Sequence, residues 1–147
     1  MAGRMSSELA SLVGQRKLFR SRITREMIRK EINAAKKDLQ DARDSLGQRK
    51  FKWATIQAYY SIFHSARALL YRRGFREKSH YALLVAIREL YSDKLENELV
   101  SGFEQSMELR QQADYGLEFS RAGAAETIES AKKFLKRTEE LLAAKKK

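Results

Sequence analysis

No proline occurs anywhere in the 147 residues. An interior proline costs a helix about 3 kcal/mol, so a chain without one is free to run long unbroken helices. The apolar residues recur at the matching spacing. After Thr24, a good helix opener, Ile28, Ile32, Ala35, Leu39, Ala42 and Leu46 follow in steps of four and three, the period of one helix face. Gly47 is the expected terminator. Residues 50–73 carry two adjoining stripes, Ala54, Ala58, Ile62, Ser65, Leu69 and Tyr59, Phe63, Ala66, Leu70. A helix apolar on two faces belongs at the centre of its bundle. Its small residues, Ala54, Ala58, Ser61, Ser65 and Ala68, invite a close neighbour. Gly74 ends it, with Arg72 and Arg73 placed where positive charge suits the helix dipole.

The remaining chain continues the pattern. Ser79 is poised to cap a helix over 80–91 whose inner face is Leu83, Leu84, Ile87 and Leu90. A long helix is predicted from about Asp93 to Tyr115, with Leu95, Leu99, Phe103, Ser106 or Met107, and Arg110 on one side. Gly116 breaks it. The last helix is expected from about Ala122 to Ala144, striped by Ile128, Ala131, Leu135, Thr138 and Leu142. No strand-like alternation is visible. Connections this short set successive helices antiparallel. The sequence therefore predicts an all-α, up-and-down antiparallel bundle of four long helices plus one short helix. Residues 1–21 read as an N-terminal arm or short helix, 22–144 as the bundle, and 145–147 as a basic tail.

This length suits one domain with one sizeable core. With no cysteine, disulfides, thiolate metal sites and cysteine nucleophiles are excluded. No apolar run approaches the roughly 20 residues of a membrane span, and no secretory signal opens the chain, so a cytoplasmic protein without membrane contact is expected. The net charge of +11 is unevenly spread. Lys and Arg outnumber acids six to one over residues 1–25 and eight to one over 49–80, whereas acids lead ten to four over 81–130. A basic face of this kind attracts phosphate backbones, or is simply a solvated surface or the complement of an acidic partner.

Candidate chemistry is sparse. There is no phosphate-binding glycine loop, no nucleophile elbow and no paired metal-ligand motif; Glu77 stands three residues before His80, but Ser61 stands three before His64, so no second Glu-x-x-His is present to face it. Neither metal nor cofactor is called for. His64 lies mid-helix and reads either as a core or interface histidine or as a cleft residue facing Asp114. His80 follows Arg73, Arg76 and Lys78. Histidine beside arginines suits ribonuclease chemistry, because imidazole exchanges the proton of a ribose 2′-hydroxyl while guanidinium holds the phosphate. Arg110 and Asp114 are four apart on one helix face and lead to Tyr115; they form either a structural ion pair or a polar binding cleft. Arg67, Arg76 and Lys78 would form a basic rim.

Three segments, in order, resemble one family. The run Ala58-Tyr59-Tyr60-Ser61-Ile62-Phe63-His64-Ser65-Ala66-Arg67-Ala68-Leu69-Leu70 looks like the signature helix of HEPN domains. Gly74-Phe75-Arg76-Glu77-Lys78-Ser79-His80 is similar to the turn that follows it, and Glu108-Leu109-Arg110-Gln111-Gln112-Ala113-Asp114-Tyr115 to a later segment of that family. The likeness spans roughly residues 25–143. It implies a helical bundle that pairs into homodimers. It also implies a prokaryotic protein often encoded beside a small nucleotidyltransferase, which restrains it as a toxin able to cut RNA. The nuclease members carry an arginine followed, after four to six residues, by a histidine. Here no histidine follows Arg110, and the pair with allowed spacing is Arg73 and His80, with six residues between them. The resemblance thus implies one half of a toxin–antitoxin-type pair, acting through dimerisation and a cleft for RNA or a nucleotide. A metal-independent endoribonuclease using His80 and Arg73 is one alternative, and a non-enzymatic interaction module another.

Overall fold

Thr24 opens the first long helix as the spacing predicts, its hydroxyl accepting from the Met27 amide at 3.1 Å. The computed structural model describes residues 6–144; the expected basic tail at 145–147 lies outside the described residues. Within them the chain forms α1 (Ser7–Gly14), β1 (Leu18–Arg20), α2 (Arg25–Gly47), α3 (Phe51–Arg72), β2 (Phe75–Glu77), α4 (His80–Leu90), α5 (Asn97–Asp114) and α6 (Arg121–Ala143). None of these helices is long and apolar enough to cross a membrane.

Helix α3 is the centre, packed against α2, α5 and α6. Both predicted stripes are buried, and Tyr59, Ile62, Leu69 and Leu70 are fully enclosed. Its small residues bring α2 close enough for the Ser61 hydroxyl to donate to the Ala35 carbonyl at 2.8 Å. Cross-helix pairs give the directions. Ser45 meets Gln57 and Glu31 meets His64, so α2 and α3 run antiparallel. Arg121 lies over Phe51 and Arg72 reaches the Leu142 carbonyl, so α3 and α6 run parallel. Arg137 pairs with Glu96 and Gly102 lies against Ser130, so α5 opposes α6. The four long helices therefore alternate up and down, with α4 as the short fifth. Ser79 and Ser120 cap α4 and α6, accepting from the amides of Ala82 at 3.0 Å and Gly123 at 2.9 Å.

Three expectations are corrected. The turn after α2 reverses at Arg49, with φ of 61°, rather than at Gly47, which is still helical. Helix α5 starts at Asn97 rather than near Asp93, because Tyr91 interrupts the chain: its carbonyl accepts from the Lys94 and Leu95 amides and its hydroxyl donates to the Leu69 carbonyl at 2.7 Å. Most consequential, the chain is not free of strands. β1 and β2 pair antiparallel, Leu18 with Glu77, Phe19 with Arg76 and Arg20 with Phe75. The flanking amides of Ser21 and Lys78 extend the pairing to the carbonyls of Gly74 and Lys17. Gly74, with φ of 83°, makes the sharp exit from α3 that this ribbon requires. Helix α1 docks on α4 through buried Leu9 and Leu12, and the ribbon leads straight into His80.

Candidate functional site

The open face of α3 carries Tyr60, His64 and Arg67, with Tyr59 and Phe63 turned further inward. Three elements bring partners to it: α2 supplies Glu31 and Asp38, the β2–α4 turn supplies Glu77 and His80, and α5 supplies Arg110. Phe63 divides the face. Its ring centroid is 5.6 Å from that of His64 on one side and 4.5 Å from that of His80 on the other.

On the α2 side every charge is paired. His64 Nδ1 lies 2.8 Å from Glu31 and its Nε2 3.6 Å from Asp38. Burial raises the Asp38 carboxyl above its ordinary value and the nearby His64 opposes it. Arg67 lies 3.7 Å from Glu31 and places two nitrogens on one oxygen of Glu77, at 2.9 and 2.5 Å. The other Glu77 oxygen is buried without a partner. Sequence spacing pointed His64 toward Asp114; the structure sets it against α2 instead, because residues 64, 60 and 57 share the α3 face that α2 flanks.

The α4–α5 side is different in kind. Arg110 is 9% exposed, yet no carboxylate lies within salt-bridge distance of it among the described residues. The ion pair with Asp114 that their spacing allowed is not formed. Nη2 donates to the Tyr60 hydroxyl at 2.7 Å, and the guanidinium carbon lies 5.3, 5.4 and 5.9 Å from the ring centroids of Tyr59, Tyr60 and Tyr115. Its buried Nε has no protein acceptor. Aromatic faces attract a cation, but they do not replace a carboxylate. His80 completes the group. Its Nδ1 is 2.5 Å from the Tyr59 hydroxyl, and its ring stacks on Tyr59 and Phe63. Burial first, then Arg110 and Arg67, lower its pKa from the usual 6.5, so the imidazole is neutral at pH 7. Burial also raises the Tyr59 phenol, which stays protonated.

The structure thus brings His80, Arg110 and Tyr115 together and leaves Arg73 out. Arg73 Nη1 donates to the Leu90 carbonyl at 2.9 Å and lies over Tyr91, at the other end of α4 from His80. Ten residues of helix separate those ends by about 15 Å. The pairing of Arg73 with His80 that spacing alone permits is therefore not made within the chain; the arginine beside His80 comes from α5. The expected rim is also divided: Arg67 is consumed by Glu77, whereas Arg76 and Lys78 are exposed on the ribbon. Tyr59, Phe63, Glu31, Asp38 and Glu77 escaped the sequence reading as site residues. Tyr59 and Phe63 sit in the signature segment, but nothing local marks them as partners of a histidine on another helix. A cleft of about 410 Å³, lined by Thr55, Leu109, Gln112, Leu117, Phe119 and Gly123 among others, adjoins the α5–α6 loop. Its one titratable lining group is Glu118.

Fold and site together define a helical-bundle domain with a cationic, tyrosine-lined cluster between its central helix and the two helices that follow. The chain belongs to the HEPN domain family, whose model matches residues 28–147. It is 30% identical over 109 residues to a protein of Methanocaldococcus jannaschii named as a "putative toxin", covering 71% of this chain and 79% of that one. A second protein of that organism with the same kind of name is 26% identical over 133 residues, covering 88% and 90%. Among solved structures, one from Thermus thermophilus superposes with a TM-score of 0.67 at 22% identity, covering 77% of this chain and 96% of that one. A HEPN domain protein from Thermotoga maritima superposes with a TM-score of 0.62 at 24% identity, covering 78% and 98%. The two structures are alike in fold.

Proposed function

We propose that this HEPN protein is the toxin-like half of a cytoplasmic toxin–antitoxin-type pair and that the Arg110–His80 cleft binds the phosphodiester backbone of RNA. One observation carries the reading. Arg110 is buried, has no carboxylate, and keeps Nε without an acceptor. A buried cation left unpaired is costly, and a phosphate drawn to the guanidinium, with a shift of the side chain that brings the enclosed Nε within its reach, would supply both the missing charge and the missing hydrogen bond. Tyr115, 74% exposed above the guanidinium, offers a ring on which a base can stack. The naming of two relatives as putative toxins supports the pairing with a restraining partner, for which a small nucleotidyltransferase is our candidate. A homodimer would set two such clefts side by side.

Binding is tested with the dinucleoside monophosphate UpU. We expect Arg110→Ala to lose affinity at least about tenfold, with the helical spectrum intact; unchanged affinity would end the reading. Cleavage is a second reading, favoured by the neutral state of His80. In the tautomer that donates Nδ1–H to the Tyr59 hydroxyl, Nε2 is free to accept the proton of a ribose 2′-hydroxyl. The 2′-oxygen then attacks phosphorus, and the 5′-oxygen leaves and takes up a proton. The products are a 2′,3′-cyclic phosphate and a 5′-hydroxyl. No metal enters this scheme, so it predicts cleavage in EDTA that His80→Ala abolishes. Cleavage that survives that variant removes His80 from the reaction.

A further inference from the structure

The matched family segment begins at residue 28, so α1 and β1 precede it. They are nevertheless firmly built in. Leu18 is fully buried, Glu8 accepts from Tyr81 and Arg88 of α4 at 3.2 Å, and β1 pairs along the whole of β2. The pairing sorts the ribbon's side chains by face. Residues directly opposite one another share a face. Leu18 with Glu77, and Phe75, therefore turn toward the bundle, where Arg67 holds Glu77, while Arg20 opposite Phe75 reaches over its ring and stays exposed. Phe19 with Arg76, and by alternation Lys17 with Lys78, turn outward.

The outer face is thus an aromatic ring framed by cations. Lys17, Arg76 and Lys78 are exposed and Phe19 half-buried, with the Lys78 ammonium 5.5 Å from the Phe19 ring centroid. Arg16, in a left-handed turn with φ of 58°, and Arg22 stand exposed at either end of β1. None of these five cations pairs with a carboxylate among the described residues, and the ribbon's single acid is the one turned inward. Like charges set opposite each other destabilise a strand pair, so Lys17 facing Lys78 is a cost that an anionic partner would remove. Basic side chains around an aromatic ring are what a single-stranded nucleic acid needs: cations for successive phosphates and a π-face for a base. Lys78 is two residues from His80, so the ribbon adjoins the cleft.

We infer that the outer face of the β1–β2 ribbon is a second binding surface, taking the single-stranded RNA that flanks the phosphodiester held in the cleft. The choice of RNA rests on the reading of the cleft; the polyanion site itself rests on the ribbon alone. The test compares a twelve-nucleotide oligouridylate with UpU, by fluorescence anisotropy across a salt series. The triple variant Arg16→Gln, Lys17→Gln, Arg22→Gln should bind the long RNA at least about tenfold more weakly. Its salt slope should flatten by about 2, at roughly 0.7 per phosphate contact on a single strand. UpU binding should be untouched. Phe19→Ala should weaken the long RNA about fivefold with the slope unchanged. If the triple variant binds the long RNA with wild-type affinity and slope, the ribbon site is overturned. The same holds if an acidic peptide, poly-glutamate, competes as well as RNA of equal charge. If the triple variant loses the long RNA while Arg110→Ala keeps UpU, the cleft reading fails and the ribbon stands.

Discussion

Two histidines flank one phenylalanine of α3, and their surroundings are opposite. His64 lies between two carboxylates of α2, Glu31 and Asp38. His80 lies among Tyr59, Tyr60 and Phe63, with the positive charges of Arg110 and Arg67 acting on it. In the first environment each charge has a partner of opposite sign, and Arg67 joins it to Glu77, one of whose oxygens is left without a hydrogen bond. The second ends in an arginine nitrogen with nothing to donate to. A residue type alone says little about role. A histidine held by acids ties helices together, whereas a histidine kept neutral beside an unpaired buried cation is equipped for an anion that comes from outside.

The contrast can be broken most forcefully at the element the two sides share. Glu77→Ala strips Arg67 of its main carboxylate in a part-buried setting, and removal of one partner of a buried pair costs about 3 kcal/mol. The expected result is a clearly lower Tm, and an unchanged Tm would mean that Arg67 holds neither side in place. Arg110→Leu sharpens the comparison from the other direction. A shorter apolar side chain keeps the packing of the arginine stem near the backbone and removes an uncompensated charge, so stability should hold or rise slightly, while RNA affinity falls tenfold or more. A loss of several degrees in Tm would instead make Arg110 a structural residue. His64→Ala should cost about 1 kcal/mol, since it removes a charge-assisted contact between α2 and α3. It should leave UpU binding within about twofold of wild type, checked by denaturation and titration side by side.

The smallest expected effect is in pH. The folded state lowers the His80 pKa below 6.5, so between those two values the unfolded chain binds more protons than the native one. The contribution of neutral His80 to stability is therefore fully present above about pH 6.5 and is lost as pH falls toward the folded pKa. Urea midpoints measured from pH 7.5 to 5 should decline accordingly. In Arg110→Leu, with the second cause of the shift removed, the His80 titration followed by NMR should move up toward 6.5.

Much of the bundle was legible because helix periodicity is local. The stripes of α2 and α3 and the caps at Thr24 and Ser79 follow from residues within a turn or two of one another. The ribbon was not, because three residues per strand show no alternation and their pairing spans 55 to 59 positions, from Arg20–Phe75 outward to Leu18–Glu77, where only coordinates reveal it. The site divides in the same way. Arg110, His80 and Tyr115 stood out by type. Their partners did not, because helix spacing says which residues share a face and not what the face meets. So Asp114, four residues from Arg110, is not its partner, while Tyr60, fifty residues away, is. Likewise the carboxylates of His64 come from α2, 33 and 26 residues back.

The central claim is that the cleft beside His80, and not the one beside His64, receives a phosphodiester. It is tested most directly by ¹⁵N NMR of the two imidazoles and the arginine Nε–H groups during titration with UpU. The account predicts that the Arg110 Nε–H and the His80 ring signals shift together with one binding constant, that the His80 pKa rises in the complex, and that UpU leaves the His64 ring signals unmoved. Movement of His64 alone, or saturation with UpU that leaves Arg110 Nε–H unmoved, would contradict it.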